Sequence, residues 1–144
     1  MSSAPALTAA QAGATISPMA QTPVLGVEFA NALAAKDFAR IADLFHPEVD
    51  FRGLTPRRSW EAADPGSLVS EVLRQWFEDS DEIEAVERLE ADAFADRERV
   101  GYRFRVRNPE GLFLVEQQAF LSAREGRIGW MRVLCSGYRP IDAE

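Results

Sequence analysis

Apolar positions recur with a helical period in the first half of the chain and alternate with polar ones in the second. Leu25, Phe29 and Leu33 stand four residues apart, forming one stripe of a helix that runs to about Ala35. Thr22-Pro23 offers that helix a cap followed by a first-turn proline. Asp37 reads as the cap of a second, shorter helix whose apolar positions are Phe38, Ile41, Leu44 and Phe45. His46-Pro47 ends it, because a residue before proline is pushed out of the helical region. A short strand follows over 49–54, and Thr55-Pro56-Arg57-Arg58-Ser59-Trp60 reads as an irregular loop. Asp64-Pro65 repeats the cap-plus-proline signal ahead of a third amphipathic helix marked by Leu68, Val69, Val72, Leu73, Trp76 and Phe77.

From Glu82 onward the period shortens to that of strands. Four segments, 82–94, 99–108, 112–123 and 127–138, are separated by Ala95-Asp96-Arg97-Glu98, Asn108-Pro109-Glu110-Gly111 and Arg124-Glu125-Gly126. Such short connections make hairpins, so the sheet is mainly antiparallel and the fold class is α+β. Alternation assigns the faces. Val100, Tyr102, Phe104 and Val106 share the inner face of the second long strand, with Arg103, Arg105 and Arg107 outside. On the third, Phe113, Val115, Gln117, Ala119 and Leu121 point in, opposite Glu116 and Gln118.

Composition narrows the function classes. At 144 residues the chain fits one domain. A formal charge of −7 argues against nucleic acid and anionic membrane surfaces as partners. One cysteine, Cys135, excludes an internal disulfide, and with one histidine it makes no zinc site of the usual kind. No metal and no cofactor are expected, nor is any apolar stretch near the ~18 residues of a membrane span. Residues 1–22 carry no charge and lack both the basic start and the apolar run of a secretory signal, so they read as a disordered tail on a cytoplasmic protein. The expected layout is a tail at 1–22, a domain at 23–140 and a C-terminal tail at 141–144.

The order of elements resembles a known family. Helix, short helix, short strand, long helix and four long antiparallel strands are similar to the cone-shaped fold of the nuclear transport factor two superfamily, in its SnoaL-like and ketosteroid-isomerase-like branch. The likeness is carried by Phe29 to Leu33 with Ala35-Lys36-Asp37-Phe38, by the run from Leu44 to Phe51, and by Gly126-Arg127-Ile128 followed by Trp130-Met131-Arg132-Val133. Matching that last turn puts Met131, Val133 and Cys135 inside and Trp130, Arg132 and Leu134 outside. The resemblance implies a curved sheet around a deep pocket that takes a small apolar molecule. The expected pocket set is Phe29, Phe51, Trp60, Trp76, Tyr102, Phe104, Val115, Gln117, Met131, Val133 and Cys135, with Tyr102, Gln117 and Cys135 as its polar points. It also implies a homodimer, here expected through Arg103, Arg105, Trp130, Arg132 and Leu134 on the outer face.

The chemistry of the resemblance does not carry over. Ketosteroid isomerases use a carboxylate base with a tyrosine and a protonated aspartic acid. Position by position these fall on Gly53 or its neighbours, on Phe29 and on Gln117. The SnoaL-like acid/base aspartate falls on or next to Gln117, and the Asp-Arg-Asp set of the related epoxide hydrolases falls near Val115, Gln117 and Cys135. An amide donates a hydrogen bond but shuttles no proton near neutral pH. His46 reads as a capping or surface residue, Cys135 as an inert buried thiol, and Asp50, Arg57 and Arg58 as rim charges. No catalytic residue is assigned. Three readings stay open: an isomerase, cyclase or dehydratase working by orientation, a carrier or sensor of an apolar metabolite, and a dimeric interaction module.

Overall fold

The computed structural model describes residues 24–142. The uncharged segment and the Thr22-Pro23 cap expected before the first helix lie outside the described residues. Helix α1 spans Val24–Ala34 and α2 Phe38–Leu44. Asp37 caps α2, its Oδ1 accepting from the Arg40 N–H at 3.1 Å. Phe45 is not part of that helix. It turns extended and opens strand β1, Phe45–Thr55, so His46 and Pro47 lie in a strand rather than at a helix end. Proline has no N–H to give to a ladder, and it sits where the pairing of β1 with its neighbour shifts register between Phe45 and Asp50.

The segment expected as an irregular loop is a hairpin. Strand β2, Arg58–Ala62, pairs antiparallel with β1 from Phe51↔Ala62 to Thr55↔Arg58. Pro56 takes the first corner and Arg57 the second at φ +72°, a type II pattern in which glycine is the usual second residue. The third helical stretch starts at the Asp64 cap with a turn of α-helix, Pro65–Ser67 (α3). It widens to a π-helix over Leu68–Leu73 and closes as α-helix over Arg74–Trp76 (α4). Leu68, Val72, Leu73 and Trp76 are its buried side.

Five more strands follow: β3 Glu82–Phe94, β4 Arg97–Asn108, β5 Gly111–Arg124, β6 Arg127–Cys135 and β7 Arg139–Ile141. The turn between β5 and β6 places Glu125 at φ +54° and Gly126 at φ +83°, the left-handed pair that matches hairpin twist. The sheet runs β2-β1-β6-β5-β4-β3, with β1 parallel to β6 and the other pairs antiparallel. Where β6 ends, the chain bends at Ser136–Tyr138 and β7 takes its place beside the start of β5, a strand not expected from the sequence. Two register shifts in β3 and one between β5 and β6 help to bend the sheet, as bulges do.

The inner faces assigned from alternation are the observed ones except at the start of β5, where Phe113, expected inside, is half-buried against Tyr138 and Leu112 is buried instead. Val100, Tyr102, Phe104, Val106, Val115, Gln117, Ala119, Leu121, Met131, Val133 and Cys135 are buried, and all but Gln117 join the helices in one core cluster. Glu98 is buried at one end of this face, where its carboxylate accepts the Gly26 N–H of the first turn of α1 at 2.8 Å. Anions are stabilised at that helix end. No helix among the described residues is long and apolar enough to cross a membrane.

Candidate functional site

Strand register lays three polar side chains in one row of the concave face: Tyr102 opposite Gln117, and Gln117 opposite Cys135. The Tyr102 hydroxyl donates to Gln117 Oε1 at 2.5 Å. Burial pushes the Tyr102 phenol well above its ordinary value, and the neighbouring Cys135 adds to the shift. The other end of the amide, Gln117 Nε2, is buried with no hydrogen-bond partner. One further buried side-chain group among the described residues shares that condition: the indole Nε1 of Trp76.

Both side chains line a chamber of about 180 Å³ between α4 and the sheet, with Thr55, Trp60, Gln75, Phe77, Cys135, Gly137 and Tyr138 completing the wall. Trp60 meets Trp76 edge-on, ring centres 6.0 Å apart and planes at 90°. The Trp60 Nε1–H is spent on Thr55 Oγ1 at 2.8 Å, and the Arg58 guanidinium covers a Trp60 face at 3.6 Å. Tyr138 leans in from beyond β6. Its hydroxyl is shared between the Trp76 carbonyl at 2.8 Å and Asp81 Oδ2 at 3.1 Å. Burial first, and then the Asp81 carboxylate, drive the Tyr138 phenol far up.

Of the residues expected to line a pocket, Trp60, Trp76, Gln117 and Cys135 do so. Phe29, Phe51, Tyr102, Phe104, Val115, Met131 and Val133 stand behind or beside them in the core cluster. Their rings fill the cone: Phe29 packs on Phe45 and Tyr102, Tyr102 stacks on Phe104 at 4.9 Å, and Phe51 meets Trp76 at 6.0 Å. Gly53, where the resemblance would seat a carboxylate base, lies under Trp76. A Cβ there would stand 2.7 Å from Trp76 Cη2, so no longer side chain fits unless the indole moves. Sequence reasoning missed Thr55, Gln75, Phe77, Gly137 and Tyr138 as lining residues. The hairpin of β1 and β2 and the bend after β6 bring the first and the last two to the chamber, and neither feature had a pattern to announce it.

The convex face carries a second feature. Register sets Leu54 beside Leu134 and Arg52 beside Arg132, with Phe120 on the far side of Arg132. Leu134, Leu54 and Phe120 are 59%, 54% and 41% exposed, and they border a groove of about 520 Å³ with Trp60, Gln118 and Arg132. Trp130 is half-buried by its own chain, with the Arg97 and Arg132 guanidinia over its ring at 3.9 and 4.5 Å. Arg103 pairs with Glu116 at 2.8 Å and holds that carboxyl below its ordinary value, while Arg105 reaches Glu84 and Glu87 at 3.7 and 3.5 Å. Asp50 pairs with Arg132 at 3.2 Å.

His46, expected at a helix end or on the surface, is buried on β1. Its Nδ1 accepts from the Glu48 N–H at 3.0 Å, which leaves the proton on Nε2 to be donated to Glu125 Oε1 at 2.7 Å. The bond holds the Glu125 carboxyl below its ordinary value and ties the start of β1 to the β5–β6 turn. Among the described residues no three His, Cys, Asp or Glu side chains gather as a metal site would require.

Neither a family model nor a curated protein matches the chain. Solved structures do. An NTF2-like protein from Anabaena variabilis is 12% identical with a TM-score of 0.58, over 78% of this chain and 84% of its own. An LEH-like epoxide hydrolase of M. tuberculosis is 15% identical with a TM-score of 0.59, over 79% of this chain and 82% of its own. A Catenulispora acidiphila protein with a ketosteroid isomerase-like fold, in complex with trimethylamine, is 13% identical with a TM-score of 0.57, over 81% and 88%. At such identities the likeness is one of fold. The fold is the one that these NTF2-like, ketosteroid isomerase-like and epoxide hydrolase-like structures share.

Proposed function

We propose that the protein binds a small, largely apolar molecule in the chamber between α4 and the sheet and holds it without moving a proton. The observation that carries this reading is the chamber wall, which among the described residues is aromatic, amide, hydroxyl and thiol in character and contains no carboxylate, imidazole or ammonium group. General acid–base work near neutral pH needs a group that titrates there. The two tyrosines closest to the chamber are driven the wrong way, towards staying neutral. A carrier or sensor needs only shape and a few fixed hydrogen bonds. The trimethylamine complex of the Catenulispora protein supports the fold as a host for small molecules. The test is native mass spectrometry of freshly purified protein, followed by denaturation to release what is bound. A discrete small-molecule adduct is the expected result. No adduct, together with no response to a panel of small neutral probes in a thermal-shift assay, refutes the reading.

A second reading concerns the convex face, where Leu54, Phe120 and Leu134 are exposed beside the paired charges of Arg103, Arg105 and Arg132. Exposed apolar groups ringed by charge have the composition of an interface core and rim. We propose that two copies pair through this face. Leu134 is at its centre, while Trp130, already covered by two arginines, contributes less than its size suggests. Light scattering on a sizing column should show a dimer that Leu134→Glu converts to a monomer. A monomeric parent protein, or a dimer indifferent to Leu134→Glu, removes this reading.

A further inference from the structure

The two buried donors without partners say what kind of molecule the chamber takes. This inference rests on the proposal that the chamber binds a small molecule, and it adds the chemistry of that molecule. Gln117 is 0% exposed and Trp76 7%, and a buried N–H left unbonded costs a protein enough that native structures rarely keep one. Two such groups in the wall of one chamber form a pattern rather than a packing accident. Both are donors. Of the other buried or half-buried polar groups there, the Thr55 hydroxyl and the Trp60 N–H are engaged with each other, the Tyr138 hydroxyl with Trp76 O and Asp81, and Cys135 Sγ with the Gly137 N–H, while the Gln75 amide stands at the exposed rim.

We infer that the chamber binds a neutral, single-ring-sized molecule carrying one hydrogen-bond-accepting oxygen, such as a ketone, aldehyde or lactone carbonyl, which is received by Gln117 Nε2 and Trp76 Nε1. Size sets the first limit. About 180 Å³ is slightly more than the ~150 Å³ apolar cavity that accepts benzene, so a six-membered ring with a small substituent matches its volume. Charge sets the second. No cationic side chain lines the chamber to neutralise an anion, which excludes a carboxylate or phosphate as the favoured ligand. A cation fares no better, although four aromatic rings surround the space. Arg58 already occupies a Trp60 face, and both buried groups without a partner are N–H donors, which repel a cation. Neither nitrogen is open to water, so an incoming oxygen reaches them by a rotation of the two side chains towards the chamber they line.

The test compares cyclohexanone with methylenecyclohexane, which has the same shape but a carbon in place of the oxygen, and with tetramethylammonium. Affinities are read by ¹⁵N NMR titration of the intact protein, following the indole N–H of Trp76 and the side-chain amide of Gln117. Cyclohexanone should bind about tenfold more tightly than its hydrocarbon twin and shift both signals, the worth of about one buried hydrogen bond. Trp76→Phe and Gln117→Leu should each reduce that preference, read as the ratio of the two affinities, severalfold. The wild-type comparison stands even if a variant does not fold. Equal affinity for the two rings, or ammonium binding above either, overturns the inference while leaving the chamber as a binding site. Binding of none of the three overturns both. Exchange signals from water at the two N–H groups that persist unchanged when cyclohexanone is saturating show that the donors serve water only, and this also overturns the inference.

Discussion

Adding one methyl group to Gly53 tests the packing that shapes the chamber. An ideal Cβ at this position lies 2.7 Å from Trp76 Cη2 and 2.8 Å from Cζ2. That is about 1 Å inside ordinary carbon–carbon contact. Shifting the indole away from the methyl disturbs its packing on Phe51 and Trp60, each of which meets it at 6.0 Å. Overpacking of this kind costs about 1 to 3 kcal/mol. Replacing a strand glycine returns up to about 1 kcal/mol through the unfolded chain, so Gly53→Ala should destabilise by about 1 to 2 kcal/mol. Trp76→Phe alone removes one ring from the core and should cost about 2 to 3 kcal/mol. Combined, the smaller ring leaves room for the methyl, so the double variant should be more stable than the sum by about 1 to 2 kcal/mol. Urea denaturation followed by far-ultraviolet circular dichroism gives all four corners of the cycle. Strict additivity, within about 0.5 kcal/mol, refutes the reasoning, because it means that Trp76 does not rest on Gly53.

Three other perturbations probe the polar groups. Tyr102→Phe removes the donor from the buried Gln117 Oε1 and should cost about 1 to 3 kcal/mol in denaturant midpoint analysis, while Tyr102→Phe with Gln117→Met recovers most of it. Glu98→Ala strips the Gly26 N–H of its buried acceptor and should destabilise by about 1 to 2 kcal/mol, with Glu98→Gln, which can still accept, losing less. The Glu125 carboxyl is held low by the His46 N–H, so its folded value lies below its unfolded one. Its stabilisation is present above the ordinary carboxylate range near pH ~4.3 and is lost as pH falls through the lowered folded value. Stability measured against pH should therefore show wild type and Glu125→Gln converging in acid, and a gap that persists unchanged to the lowest pH contradicts the pairing.

The inner faces of β4, β5 and β6 were legible because each strand is buried on one side and wetted on the other, which writes burial directly into the period. The β1–β2 hairpin was hidden for a local reason: its turn holds Arg57, not glycine, at the position that needs φ +72°. The π-helical middle of the third helix was hidden because an apolar stripe at helical spacing looks the same in either winding. His46 could not be read correctly, since the partner that keeps it buried lies 79 residues away in the chain. Periodicity also gives a side chain's direction and not its reach. It placed Phe29, Phe51, Tyr102 and Phe104 towards the interior, yet only the packing of their rings decides how little of that interior stays open. The exposed pair Leu54 and Leu134 becomes a patch through the parallel register of β1 with β6, a relation no single strand encodes.

The missing acids and the small chamber have one cause. A carboxylate at position 53 and a tryptophan at position 76 compete for the same volume, and here the tryptophan occupies it. With the indole in place the interior shrinks, and its buried N–H is left without a partner. At position 117 an amide rather than an aspartic acid keeps that donor character at every pH, with no buried charge to stabilise and no proton to lose. The Tyr102 hydroxyl completes the row by orienting the amide, donating its O–H to Oε1 so that the NH₂ end is the one left without a partner. On the proposed reading the glycine, the tryptophan, the tyrosine and the glutamine act together: they exchange a cavity able to abstract protons for one that recognises an oxygen by two N–H groups. That exchange favours selective holding over turnover.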